Sequence, residues 1–269
     1  MMNIKIPYDG FLPWGVCRFS EIQESLIECR AKGRIPANAK SVIVYLFPYY
    51  LGEESYKKLN VSKYAVPYDY HIIAGEYLDR AVDALKEQYP DNSFEYFCDN
   101  SPVPEVKAAT FSGVGVRGEN GLLINEKYGS FCFIGEIITD LEITPAKATK
   151  NNCLKCGKCK KACPDNALGE DFCKEKCLSY LTQKKGELDE KTIKAIRENK
   201  CIWGCDNCQN ACPMNENISV TPIKEFLESG KSEYRSGDEL EKRAYSWRGR
   251  EVIERNLKIM CCNEEKNQL

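Results

Sequence analysis

Seven of the ten cysteines between residues 153 and 212 have the spacing that holds iron–sulfur cubes. Cys153, Cys156, Cys159 and Cys163 are separated by two, two and three residues, and Pro164 follows. Two-residue gaps let three thiolates of one loop face three corners of one cube. The fourth, turned away before proline, serves another cube. A second copy reads Cys205, Cys208, Cys212 and Pro213, with Ile202 where its first cysteine would stand. The spacing therefore assigns one [4Fe–4S] cluster to Cys153, Cys156, Cys159 and Cys212. A second takes Cys163, Cys205 and Cys208, with a fourth ligand among Cys173, Cys177 and Cys201. Zinc is the competing reading, but a zinc site needs only four ligands and has no use for a repeated Cys-Pro ending. The chemistry that follows is the movement of single electrons.

The rest of the composition narrows the field. Of sixteen cysteines, Cys17, Cys29, Cys98, Cys132, Cys261 and Cys262 have no ligand spacing and read as small buried hydrophobes. His71 is the only histidine, which excludes a histidine-based metal centre or triad. The net charge of −2 over 269 residues gives no global basic field. Lys155, Lys158, Lys160 and Lys161 nevertheless crowd the first cluster loop, with Lys184 and Lys185 further on. They read either as a solvated rim or as a dock for an acidic electron donor or a phosphate backbone. No apolar run reaches membrane length and the start lacks a signal-peptide pattern, so a cytoplasmic monomer without membrane association is expected. Dense cysteine in a reducing compartment means metal rather than disulfide.

Elements must position these groups. Residues 41–47 form a continuous apolar run closed by Pro48 and predict a buried strand. From Asp69 to Tyr89, Ile73, Tyr77, Ala81 and Leu85 recur every fourth residue and predict a helix stopped by Pro90. Residues 94–98 predict a strand. Two more, 121–125 and 130–139, are expected to be joined by a tight turn at 126–129. A helix is expected near 189–198 with Ile193 and Ile196 inward. The tail from Ile218 reads as helical, anchored by Trp247, Ile253 and Leu257. Asp99 follows a strand, where α/β sheets place their chemistry, although on the residues alone a plain Asx turn is the favoured reading.

Several segments together resemble epoxyqueuosine reductase, a cobalamin-dependent family acting on tRNA. They are Ser62-Lys63-Tyr64-Ala65, Asp69-Tyr70-His71, Cys98-Asp99-Asn100-Ser101-Pro102, Gly121-Leu122-Leu123-Ile124, Gly129 to Glu136, Thr139 to Glu142, Cys177 to Thr182 and Gly204 to Gln209. They occur in the family's order. The segment from Trp247 to Asn256 is similar to the family's next helix.

The resemblance implies a nitroreductase-like domain that binds base-off cobalamin, with one cluster near cobalt and the other near the surface. It implies Cys177 as the missing ligand of the near cluster and Asp99 as proton donor to the substrate. Around the corrin it implies Tyr70, His71, Asp99, Ser101, Leu123, Ile134, Ser179 and Tyr180. His71 is expected near the cofactor rather than on the metal. A carboxyl over an apolar ring system is expected to have a raised pKa, as a proton donor needs. Electrons would come from a flavodoxin or ferredoxin at the lysine-rimmed outer cluster.

The expected architecture is α+β. A nitroreductase-like mixed sheet with flanking helices spans 1–145, a ferredoxin-like double-cluster module 146–217, and a helical tail 218–269. Three positions depart from the family: Tyr68 replaces an arginine, Gly113-Val114-Gly115-Val116 replaces Gly-Leu-Gly-Trp, and Glu119 replaces a lysine. The family's C-terminal helical-repeat region, which helps hold tRNA, is absent from the 269 residues. These departures weigh against tRNA and towards a small-molecule substrate of the same machinery. A two-cluster electron carrier without cobalamin is the remaining alternative.

Overall fold

The computed structural model describes residues 4–145 and 152–262. The expected junction near 145–150 falls largely on residues 146–151, outside the described residues. Strands β1 (Trp14–Arg18) and β2 (Ser41–Pro48) are followed by helix α1 (Tyr70–Gln88), β3 (Phe94–Phe97) and α2 (Glu105–Phe111). Short strands β4 (Val116–Arg117) and β5 (Leu123–Ile124) precede the long strand β6 (Cys132–Thr139).

The main sheet has the order β1-β2-β6-β3. Every pairing in it is antiparallel, where a mixed sheet was expected. The reason is topological. β2, α1 and β3 do form a strand–helix–strand crossover whose two strands run the same way. β6 then inserts between them, with Ile43 opposite Ile137 and Tyr96 opposite the same residue on the other side. A parallel crossover is thus converted into two antiparallel pairings.

The apolar run of β2 is continuous because both of its faces are covered. Ile43, Tyr45 and Phe47 join a core built with Ile73, Tyr77, Leu78 and Leu85 of α1. Val42, Val44 and Leu46 join another with Ala108 and Ala109 of α2. Asp69 caps α1 by accepting a hydrogen bond from the His71 backbone N–H at 3.0 Å, a contact worth about 1 kcal/mol. Pro90 disfavours helical geometry at Tyr89, whose φ is −134°.

The expected hairpin across 126–129 is divided. β5 pairs with β4 in a separate ribbon, and only the Asn125–Gly129 bridge links it to the approach of β6. Asn125 and Gly129 exchange backbone hydrogen bonds at 2.8 and 2.9 Å, and the Asn125 carboxamide oxygen accepts from the Lys127 and Tyr128 N–H groups within the turn.

The second half adds short helices α3 (Lys158–Lys161), α4 (Leu178–Leu181), α5 (Glu190–Asn199), α6 (Asn207–Asn210), α7 (Lys224–Glu228) and α8 (Arg250–Cys261). In α5 it is Thr192 and Ile196 that are buried, with Ile193 only partly covered. Trp203, Phe226, Tyr234, Tyr245 and Ile253 share the α1-side core, so both halves and the tail are packed on one another. Trp247, expected as an anchor, is 59% exposed.

Two buried asparagines join distant segments. Asn60 donates to the Tyr234 carbonyl and accepts from its N–H, both at 2.8 Å. Asn256 donates to the Thr182 and Ile202 carbonyls at 2.7 and 2.8 Å.

Candidate functional site

The cysteines line two cavities. Cys153, Cys156, Cys159 and Cys212 border the smaller, about 20 Å³, together with Glu119 and Asn120. Cys156 is exposed, so this cavity lies at the surface. Lys155, Lys158 and Lys161 are exposed beside it, and Leu154 is 62% exposed. Cys163, Cys177, Cys205 and Cys208 border the larger, about 350 Å³, with Tyr49, Tyr64, Leu122, Phe133 and Ser179. Of the three candidates for the fourth ligand, Cys177 borders this cavity at the start of α4. Cys173 lies against Glu175 and Cys201 against the Trp203 and Gly204 carbonyls. Each cavity is thus ringed by four thiols, the donor set that suits a [4Fe–4S] cube.

The N-terminal half shapes the inner cavity. Asp206, between Cys205 and Cys208, accepts from the Lys63 N–H at 2.7 Å and from the Ser62 hydroxyl. Gly204 passes directly over Ser62. A Cβ there would lie 2.4 Å from the Ser62 Cβ, and its φ of +78° favours glycine.

Asp99 stands beyond this cavity, after β3, with φ +54°. Its Oδ2 accepts from the Tyr70 hydroxyl at 2.5 Å and lies 3.4 Å from His71 Nε2. His71 Nδ1 is 2.6 Å from Asp69 Oδ1. Both ring nitrogens therefore face carboxylates, which push the imidazole up to about 9. Asp99 moves the other way. The His71 bond, then Tyr70, hold it well below the usual carboxylate range despite partial burial. The expected raised pKa is therefore not found in the protein alone: the imidazolium carries the proton and Asp99 is the carboxylate.

Glu105 of α2 accepts from the Asp99 N–H at 3.1 Å. Burial, then the Asp99 charge, raise it to about 7. Glu136 of β6 is fully buried, and neither carboxyl oxygen has a hydrogen-bond partner among the described residues. Burial, then Glu105 and Asp99, push it well above the usual range, so it is held neutral. Neither glutamate was foreseen. A lone acid within the apolar stretch 132–139 was the available signal for Glu136.

The remaining expected residues divide. Tyr70 stacks on Phe133, with ring centroids 4.1 Å apart and planes within 9°. Ser179 lines the inner cavity. Ser101 is buried and accepts from the Val103 N–H at 3.0 Å. It also borders, with Asp99, Arg117 and Gly121, a third cavity of about 850 Å³. Tyr180 carries Lys174 over its ring at 4.7 Å. Leu123 and Ile134 pack in the α2-side core, and their neighbours Leu122, Cys132 and Phe133 line the inner cavity. Neighbouring residues of one turn line the two larger cavities, Gly121 the one and Leu122 the other. The four segments expected around a corrin, 99–101, 121–124, 131–135 and 177–180, all contribute to their walls. His71, with both nitrogens engaged, offers no free lone pair for a metal.

Comparison with known proteins gives these features a context. A family model described as a 4Fe-4S double cluster binding domain matches residues 152–215. A second, described as epoxyqueuosine reductase QueG, DUF1730, matches residues 33–100. The epoxyqueuosine reductase of Cyclobacterium marinum is 34% identical over 219 residues, covering 79% of this chain and 70% of that protein. That of Listeria monocytogenes is 35% identical over 208 residues, covering 71% of this chain and 54% of the other. A solved epoxyqueuosine reductase from Streptococcus thermophilus superposes with a TM-score of 0.80 at 25% identity, over 97% of this chain and 82% of that one. An epoxyqueuosine reductase solved with an epoxyqueuosine-modified tRNA-Tyr stem loop shares the fold at 23% identity, with a TM-score of 0.76 over 92% of this chain and 76% of that one. The cysteine-ringed cavities thus lie within a recognised double-cluster domain, and the chain belongs to the epoxyqueuosine reductase family.

Proposed function

We propose that the chain is a cobalamin- and iron–sulfur-dependent reductase that converts epoxyqueuosine to queuosine in tRNA. The observation that carries this reading is the succession of sites in a chain of this family. A surface cavity ringed by four thiols, an inner one ringed by four more, and the Asp99 cluster surround the same 119–122 turn.

Removing an epoxide oxygen as water consumes two electrons and two protons. Cys153, Cys156, Cys159 and Cys212 hold the outer cluster, and exposed lysines beside it suit an acidic flavodoxin or ferredoxin. Cys163, Cys177, Cys205 and Cys208 hold the inner one. Leu122, Phe133 and Ser179, which line the inner cavity, would hold cobalamin, and it would supply the reducing centre for the substrate. Tyr70 stacks on Phe133 and fixes it at the cavity wall, and both nitrogens of His71 are engaged by carboxylates.

Protons come from the Asp99 cluster. The imidazolium of His71 is the store, and Asp99 is the group that passes the proton on. Tyr70 and Asp69 fix the two rotamers. His71, 49% exposed, is re-protonated from solvent, and Glu105 lies on the backbone side of Asp99, where it accepts from its N–H. Exposed Trp247, with the Arg248 guanidinium 3.7 Å over its ring, suits stacking on an unpaired base.

The test is expression in a strain lacking its own epoxyqueuosine reductase, followed by nucleoside analysis of tRNA. Queuosine is expected with the native chain and not with Asp99→Asn. Persistent epoxyqueuosine, with clusters and cobalamin both shown to be loaded, would remove this substrate in favour of a small molecule. Unchanged spectra of cobalamin mixed with excess protein would remove the cobalamin and leave an electron carrier.

A further inference from the structure

The turn between β4 and β5 places one side chain at both thiol-ringed cavities. Asn120 lines the outer cavity with Cys153, Cys156, Cys159 and Cys212, and the inner one with Cys163, Cys177, Cys205 and Cys208. Its Nδ2 is buried and has no hydrogen-bond partner among the described residues. The orientation of the amide is not arbitrary. Its Oδ1 accepts from the Leu122 N–H at 3.3 Å, which only an oxygen can do, so the NH₂ group faces the other way. Gly118 makes room for this fold: a Cβ there would lie 2.5 Å from Asn120 Oδ1. Glu119, adjacent in the turn, pairs with Lys160 of α3 at 3.7 Å and so ties the turn to the helix that carries Cys159. The other side-chain amides of the inner cavity each have a protein acceptor: Asn207 donates to Asn199, and Gln209 to Asp206.

A buried NH₂ group requires acceptors. The acceptors these two cavities would supply are thiolate and sulfide sulfurs, one set on each side. We infer that Asn120 donates N–H···S hydrogen bonds to both clusters and thereby raises both reduction potentials. This rests on the double-cluster reading above. Reduction adds negative charge to a cube, so a donor to its sulfur stabilises the reduced form more than the oxidised form. A single amide has two N–H groups, enough for one bond to each cluster, so one substitution is expected to move both potentials.

The test uses the full chain, reconstituted anaerobically, with iron and sulfide analysis followed by a potentiometric titration read by electron spin resonance. Asn120→Leu removes the donors. Both midpoints are expected to fall by the equivalent of about tenfold in the reduction equilibrium, about 59 mV for a one-electron couple. Asn120→Asp keeps an acceptor for Leu122 and puts a negative charge where the donors were, so the fall is expected to be larger. Full cluster content with unchanged potentials in both variants would overturn the inference, and a shift at one cluster alone would overturn the bridging role. Should the variants not load, the native chain decides. With ¹⁵N in the asparagine side chains, pulsed spectra of the reduced protein are expected to show amide nitrogen coupled to each cluster, and its absence at both refutes the bonds. A native chain without iron and sulfide would instead sink the cluster reading, and this is seen before any potential is measured.

Discussion

Replacing Glu136 with glutamine should stabilise the protein, and by an amount that grows with pH. Glu136 lies in β6 opposite Val44 and Phe97, is fully buried, and has no partner for either carboxyl oxygen among the described residues. The charged groups around it offer no relief, since Glu105 and Asp99 act to raise it further, and Cys17 and Cys98 are pushed up first by their own burial and then by the negative groups around them, Glu136 among them. Its folded-state pKa is thus well above the ordinary value of 4.5. For a raised carboxyl, stability is fully present below the unfolded pKa and is lost as pH climbs towards the folded one. In that window the native chain loses about 1.4 kcal/mol per pH unit relative to a variant that cannot ionise. For a chain of this size that corresponds to about 3 to 6 °C in midpoint per pH unit. The assay is anaerobic thermal unfolding of the loaded protein at pH steps from about 5.5 to 8. Glu136→Gln should diverge upward from the native chain along this series. A constant difference between the two curves would show that Glu136 does not titrate within a buried, unpartnered site.

Three further outcomes are expected. Cys177→Ser should lower iron from about eight to about four per chain and leave the outer cluster's resonance intact, whereas full iron content would return the ligand role to Cys173 or Cys201. His71→Asn should cut queuosine formation by about 10² to 10⁴, the range for a general acid. In the native chain the same activity should fall as pH rises through about 9, where the imidazolium is lost. A pH profile unchanged by the substitution would remove His71 from the proton path. Asn256→Ala leaves the Thr182 and Ile202 carbonyls unpaired and should cost about 2 to 4 kcal/mol, measured by denaturant midpoint; a loss under about 0.5 would show that solvent replaces the amide.

Much of this was legible in the residues because it is local. Cysteine spacing is a property of one loop, and the period of α1 is a property of one helix. What was not legible depends on encounters between distant segments. The insertion of β6 between β2 and β3 decides the strand directions, and nothing in residues 132–139 announces its neighbours. Leu123 and Ile134 were expected at the cofactor, but Leu122 and Phe133 line the cavity. A strand buried on both faces has no polar side to fix the phase of its alternation. The three rivals for the fourth ligand differ only in where the fold carries them. The charge state of Asp99 depended on His71, which lies on another element and binds it from the side.

The thiols around each cavity come from separated stretches of chain. Cys212 completes the outer ring, and Cys205 and Cys208 the inner. The stretch they share rests on Ser62 and Lys63 at one end, while Ile202 just before it is tied to Asn60 and Asn256. During synthesis, therefore, neither ring exists when the first ferredoxin-like loop leaves the ribosome. Iron delivered at that stage would meet three thiols of the outer ring and, in Cys163, one of the inner. The order of biogenesis is imposed by the fold: neither ring is complete before the stretch from 205 to 212 has docked on Ser62 and Lys63, and cofactor loading becomes a checkpoint on that docking.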